Sequence, residues 1–521
     1  MALQLFSARA VRTADGVPGN AVLVSDGLIV AVGGRESLPG DHSERRFSDG
    51  FLLPGMRDAH LHPVAYAAAL RGTTLATSAD FAEISARLAH AARARPDAPI
   101  IGMRLNEETL TERKLPNREV LDQGAGSIPA LVHRYCGHVA IASSAALALA
   151  GITADTLDPA GGIIDRDGDG NPTGVLRETA IELVAERLGA GNEVTDDELL
   201  DALYRLAGTG VTSVGAMLRT GAGAWASLGN EVDIAIAAAD RAPIKLGAYV
   251  IEESAAVVAA TKQKIDVAPD RLRWLGIKRF GDGSFGGHTA ALHEPFADVA
   301  TKGTLRLTRV DKEIAEAALE LGGGAAIHAI GDRACEAVID MFGQLILHGA
   351  PPERLRIEHA SVLTADEVDR MARYGIVVVV QPPFLGSEAG WLVDRLGEQR
   401  LRRTYPFATL EAAGIPLAGS SDCPVEPPDP WAGMALARDR AGMVPEEGLS
   451  AEQALAMYTT GAARALGEPP PLAIGSPADF IIVDRDPMAV TPDELRATGV
   501  IATFVDGEEV EVDGSKPLWL D

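Results

Sequence analysis

From about residue 51 to residue 420 the chain repeats one rhythm: a short β-rich run, then a stretch of helical character. The runs are Phe51–His60, Val211–Ala216, Ile244–Val250, Trp274–Phe280, Ala325–Ala329, Leu355–His359, Ile376–Gln381 and Ile415–Ser420. Helical stretches such as Asp311–Leu321 and Ala365–Tyr374 separate the later ones. Strands separated by helices pair in parallel, because each helix carries the chain back along the sheet. Eight such runs predict an α/β fold, a (β/α)8 TIM-like barrel. A doubly wound open sheet is the alternative.

The gap between the first two runs is too long for an ordinary βα connection. It predicts an inserted subdomain from about Val64 to about Glu193, at the barrel mouth where the strands end. Within it, GGIIDRDGDGNPTG is rich in Asp and Gly, but Pro172 and the ligand spacing break a calcium-loop pattern. A hairpin turn is the better reading. Both chain ends look different again. AVLVSDGLIVAVGG turns at Asp26-Gly27, and VIATFVDGEEVEV turns at Asp506-Gly507; Asp-Gly between apolar runs marks a tight hairpin. Residues 1–53 and 469–521 are therefore expected to build one composite β-sandwich beside a barrel spanning 54–468.

With 521 residues, 47% of them hydrophobic, the chain can bury a large core. A formal charge of −26 repels phosphate backbones, which argues against nucleic acid as a partner. The cysteines Cys136, Cys335 and Cys423 are far apart. They form neither a disulfide framework nor a CxxC site and fit a reducing compartment. MALQLFSARAVRTADG has no long apolar run after a basic start, and no stretch has the apolar length of a membrane span. The expectation is a cytoplasmic protein with a small-molecule substrate and no membrane partner; a homodimer stays open.

Histidines cluster at the ends of the predicted strands. In His60-Leu61-His62 the two imidazoles face the same way on a strand. His328 closes the run AAIHA, and His359 closes RIEHA on the next strand. Singly, each reads as a cap or core histidine. Together they place four imidazoles at one barrel mouth, a donor set for a divalent metal. Asp422 follows the last predicted strand in IPLAGSSDCP. It can cap a helix, but beside a metal it can take a proton from activated water and pass it to a leaving group. Lys278 lies inside the run WLGIKRFGDGS. It alternates outward if Arg279 or Phe280 faces in. If it faces in, burial favours its neutral amine, which can add carbon dioxide to form a carbamate able to bridge two metals. Asp332 in HAIGDR either orients His328 or caps a helix.

In order along the chain, LLPGMRDAHLHP, RYCGHVAIASSAAL, GGIIDRDGDGNPTGVLRE, IKRFGDGSFGGHTAAL, HAIGDRA, RIEHA, GSSDCPVEPPDPW, YTTGAARALG and IGSPADFIIVDRDP resemble the amidohydrolase superfamily. More narrowly they resemble amidohydrolase family 3, its N-substituted formamide deformylase-like branch. The resemblance implies a (β/α)8 barrel with a composite β-sandwich. It implies metal ligands at His60, His62, His328 and His359, a bridging carboxylated Lys278, and Asp422 as strand-eight acid/base and metal ligand. It also implies a substrate contact at His138, in the insert. There are departures. Gly286-Gly287-His288-Thr289 stands where relatives read Gly-Ser-Arg-Thr, so His288 takes the place of an arginine able to anchor a substrate anion. Tyr135-Cys136-Gly137-His138 also differs from the usual wording.

The expected activity is therefore hydrolysis of a C–N bond in an amide, N-substituted formamide or cyclic amide. The expected cofactor is two zinc ions, with manganese or iron as alternatives, sharing the Lys278 carbamate and an activated hydroxide while Asp422 shuttles the proton. One rival is a deaminase on the same barrel, disfavoured because Gly331 and Asp332 rather than a glutamate follow His328. The other is a non-catalytic regulator on a hydrolase scaffold, disfavoured because all six positions are kept.

Overall fold

The computed structural model describes residues 3–16, 19–38, 42–135, 137–189, 193–220 and 230–513. Eight strands form one sheet in chain order: Met56–Leu61, Val211–Arg219, Lys245–Ile251, Leu272–Phe280, Gly324–Ala329, Leu355–His359, Val377–Val380 and Leu417–Gly419. Every neighbouring pair is parallel. Helices such as Arg309–Glu320 and Ala365–Tyr374 lie between successive strands. The barrel seam between the eighth and first strands is closed by loop bonds rather than by a ladder. The Asp422 amide donates to the His60 carbonyl at 2.8 Å, and the His62 amide donates to the Cys423 carbonyl at 2.8 Å. The Ser421 hydroxyl donates to the buried Asp58 carboxylate at 2.5 Å.

The first barrel strand is shorter than its apolar run. Phe51–Pro54 belongs to the long strand Ser43–Pro54 of a different sheet, and the barrel strand starts at Met56. Gly55 separates them, and a Cβ there would stand 2.3 Å from Thr212 Oγ1. Only glycine lets the chain pass the second barrel strand that closely while changing sheets.

A second sheet holds six strands: Thr73–Thr74, Ile100–Leu105, Ala130–Arg134, Val139–Ala142, Gly162–Arg166 and Pro172–Glu178. The helix Pro63–Arg71 precedes it and buries Val64, Tyr66 and Leu70 in the main core. The separate sheet thus begins later than Val64. Gly162–Arg166 and Pro172–Glu178 pair as a hairpin. Asp167 caps its turn by accepting from the amides of Asp169 and Asn171, so that carboxylate is used locally.

The chain ends join in one seven-stranded sheet, ordered Glu508–Glu509, Val500–Val505, Phe480–Val483, Ser43–Pro54, Gln4–Val11, Ala21–Ser25, Leu28–Gly33. Phe6 and Phe504 lie three strand spacings apart along this sheet, yet their ring centroids are 4.9 Å apart. A flat sheet would put them roughly 14 Å apart, so the sheet folds over a core of Phe6, Phe480 and Phe504. Its two tight turns carry positive φ at Asp26-Gly27 and at Asp506-Gly507, as two-residue hairpins require. Among the described residues no helix is long and apolar enough to cross a membrane.

Candidate metal centre

Polar side chains from five barrel strands meet at one end of the barrel. His60 lies near the end of the first strand, and His62 just beyond it. Lys278 is on the fourth strand, His328 on the fifth, and His359 is the last residue of the sixth. Asp422 follows the eighth by three residues. His60, Lys278, His328, His359 and Asp422 are buried and His62 half-buried. Lys278 faces inward, 1% exposed, while Arg279 turns away to Asp311.

The rings form a row. Successive centroid distances are 5.7 Å for His62–His60, 5.4 Å for His60–His359 and 4.5 Å for His359–His328. Asp422 Oδ1 stands 3.2 Å from His60 Nε2 and 3.3 Å from His62 Nε2. These three residues bring ligand atoms within 4.8 Å of one another. The row lines a cavity of about 520 Å³ whose lining also includes His138 and Glu178 from the insert. Backbone strain sits at the same place. His359, Ala360 and Asp422 all have positive φ, at 77°, 45° and 57°. For residues with side chains this is costly and persists only where the surroundings enforce it. At His359 it breaks strand alternation, so Glu358 and His359 both reach the ring cluster.

The outer nitrogen of three imidazoles meets a group that can only accept. His359 Nδ1 donates to Gln381 Oε1 at 2.6 Å, and His328 Nε2 donates to the Gly283 carbonyl at 2.8 Å. His60 Nδ1 donates to Glu358 at 2.5 Å. In the neutral ring each bond fixes the tautomer and leaves the other nitrogen with its lone pair. Burial holds His62, His328 and His359 below the usual histidine range, which keeps them neutral as metal ligands must be. Burial also works against charge on His60, but Asp422 and Glu358 outweigh it and raise its pKa. Burial alone would push Asp422 up, yet His60 and His62 hold it well below the carboxylate range. Neutral imidazoles at His62, His328 and His359 beside an ionised Asp422 fit a divalent cation, which would displace the proton that Asp422 and Glu358 favour on His60.

The amidohydrolase family model matches residues 48–511.

The chain belongs to the amidohydrolase family.

It is 29% identical to the Bacillus subtilis protein YtcJ over 528 aligned residues, covering 95% of this chain and 96% of that one. It is also 29% identical to the N-substituted formamide deformylase of Arthrobacter pascens, again over 95% of this chain and 96% of the relative. An uncharacterized metal-dependent hydrolase from Pyrococcus horikoshii superposes with a TM-score of 0.76 at 27% identity, over 94% of this chain and 99% of that one. The chain is thus a metal-dependent hydrolase of this family.

The structure brings His60, His62, Lys278, His328, His359, Asp422 and His138 around one cavity. His288 is elsewhere: its ring pairs with Asp298 at 3.1 Å and packs on Phe296. Cys136 lies outside the described residues. Asp332 does not orient His328. It begins the helix Asp332–Leu347, accepts from the His293 amide and binds Arg403. The carboxylate beside His328 is Asp282, 3.3 Å from Nε2, which also accepts the amides of Ala291, Ile330 and Gly331. Glu358 and Gln381 are further supports that this amidohydrolase uses and that the histidine pattern does not reveal.

Glu358 is wholly buried between His60 and Arg356. Arg356 also donates to the Ala59 carbonyl at 2.8 Å, tying the sixth strand to the first. Arg356→Met should destabilise the fold by about 3–5 kcal/mol, because it strands a buried carboxylate. Urea unfolding checks this; a loss under 1 kcal/mol, an order of magnitude set for exposed pairs, would contradict it.

Proposed function

We propose that this chain hydrolyses the C–N bond of an amide, an N-substituted formamide or a cyclic amide. The observation that carries the reading is the placement of Asp422, an ionised buried carboxylate that lines the cavity beside both His60 and His62. His60, His62, His328, His359 and Asp422 would hold two divalent ions, zinc foremost, with manganese or iron as alternatives, and Lys278 would bridge them as a carbamate. Such ions make water nucleophilic near neutral pH and polarise a carbonyl. Within that site Asp422 accepts the proton of the attacking water and delivers it to the departing nitrogen. The Lys278 amine suits carbamate formation, because burial pushes its pKa down to about 8 and enriches the neutral form that reacts with carbon dioxide. His138 contacts the substrate from the insert side. The formamide deformylase relative supports the bond class. Two buried free thiols, Cys335 and Cys423, agree with a reducing cytoplasm.

The test joins elemental analysis of the purified protein to a screen of N-formyl, N-acyl and cyclic amides. Amine release by metal-loaded protein supports the reading. Ammonia release from ring amidines, with none from amides, would assign a deaminase instead. The outer support of the metal site gives a separate check. Gln381→Leu removes the acceptor that orients His359 and should weaken metal binding about 10- to 100-fold. Competition with a chelating dye measures it, and unchanged affinity would show that Gln381 does not set the ligand.

A further inference from the structure

On the first barrel strand Asp58 and His60 are two residues apart, so their side chains face the same way. Asp58 lies one step further from the barrel mouth than His60 and is buried. Across the seam from it runs the loop that leaves the eighth strand at Gly419 and carries Ser421 and Asp422. Loop bonds rather than a strand ladder join the two sides, so no regular pairing fixes how far this loop stands from the first strand. Yet Asp422 occupies a defined place, where its Oδ1 reaches both His60 Nε2 and His62 Nε2.

Asp58 accepts from both sides of the seam. On its own strand, Oδ1 takes the His60 amide at 3.1 Å. From the loop, the Ser421 amide donates to the two oxygens at 3.2 and 3.1 Å, and the Ser421 hydroxyl donates to Oδ2 at 2.5 Å. Ser421 Oγ in turn accepts the Cys423 amide at 3.0 Å, so one hydroxyl braces the residues on either side of Asp422. Asp422 between them has φ 57°, a conformation that persists only where the surroundings enforce it. The bonds from the Asp422 amide to the His60 carbonyl and from the His62 amide to the Cys423 carbonyl join backbone to backbone and do not need Asp58.

We propose that Asp58 is a positioning residue: joined to the His60 amide and to both donors of Ser421, it sets Asp422 at the distance from His60 and His62 that its proton transfer needs. This rests on the reading of Asp422 as the proton carrier of a C–N hydrolase. The role is one of hydrogen bonding, not of charge. Asparagine at this position keeps an oxygen for the two amides and can turn its own N–H toward Ser421 Oγ, which accepts as well as donates. Alanine keeps neither and leaves buried donors without an acceptor. Misplacing a catalytic group by about 1 Å can cost about 10²-fold in rate.

The experiment compares wild type with Asp58→Ala, Asp58→Asn, Ser421→Ala, Asp422→Asn and the double variant of Asp58→Ala with Asp422→Asn. Each protein is loaded with cobalt, whose visible absorption bands report the arrangement of its ligands, and elemental analysis gives the stoichiometry. Rates are taken on the best amide of the screen, well below each melting temperature. Asp58→Ala should lower kcat about 10- to 100-fold with KM little changed, and should shift the cobalt bands at unchanged cobalt content. Asp58→Asn should resemble wild type in both. Ser421→Ala keeps its amide bond to Asp58 and should fall between them. In the Asp422→Asn background Asp58→Ala should cost little more, since both act on one proton path. Ser421→Ala in the same cycle repeats the test should Asp58→Ala not fold. A purely structural role would lower the melting temperature and leave kcat and the cobalt bands unmoved, and that result would overturn the proposal. So would Asp58→Asn as impaired as Asp58→Ala, or losses that multiply in the double variant. A wild type that cleaves no amide would overturn the C–N reading, and the cobalt bands would still decide whether Asp58 places Asp422.

Discussion

Asp422→Asn is expected to keep its metal and its fold while losing turnover by about 10²- to 10⁴-fold, the range for removing a general acid–base group. Asparagine is the informative replacement here. It matches the carboxylate in shape, and it is among the few residues that tolerate the left-handed backbone of Asp422, at φ 57°. Alanine would combine loss of the proton acceptor with a cavity and backbone strain. The asparagine oxygen can still face His60 Nε2 and His62 Nε2, now 3.2 and 3.3 Å from the carboxylate. What it cannot do is take a proton at neutral pH. The loss should fall on kcat with KM little changed, as for an interaction made only in the transition state. Elemental analysis and steady-state rates decide the matter. Turnover near wild type with metal retained would remove Asp422 from the proton path.

The eight strands were legible because short β-rich runs recur along this chain, with stretches of helical character between them. The exception shows the limit of that logic. Phe51 to His60 reads as one apolar run, and only the approach of Gly55 to Thr212 cuts it between two sheets. A contact between residues so far apart leaves no local trace. The histidines and Asp422 were legible for the opposite reason: strand ends of a parallel barrel converge whatever the side chains are. Their supports were not. Asp332 is near His328 in sequence, but Asp282 is near it in space. Glu358 precedes His359, and alternation would place it on the opposite face; the positive φ at His359 brings both to the cluster. The pairing of His138 with Glu178 and Arg306 needs the insert folded back on the barrel, which no periodicity encodes.

Lys278→Met should lower bound metal from two equivalents to one or none, and turnover should fall with it. Methionine fills the space of the lysine stem without an amine, so no carbamate can form and the bridging anion is lost. The same substitution has a stability effect of opposite sign, which separates it from mere damage to the fold. Burial moves the Lys278 amine from its ordinary 10.5 to about 8. Below about pH 8 the metal-free fold therefore holds a buried ammonium that unfolding would release to water. That penalty is full below pH 8 and fades as pH rises toward 10.5. Removing the amine removes the penalty, which is on the order of 3 kcal/mol. Metal-free Lys278→Met should thus be more stable than metal-free wild type at pH near 6, a condition chosen well below the amine's titration, and the gap should narrow as the pH is raised. Urea unfolding of chelator-treated proteins across that range measures the gap, and elemental analysis measures the stoichiometry. Two metals still bound by the variant would eliminate the carbamate bridge. A metal-free variant less stable than wild type at low pH would show that the Lys278 charge is a structural asset to the barrel, held by Glu358 and Asp422, rather than a strain that carbamate formation relieves.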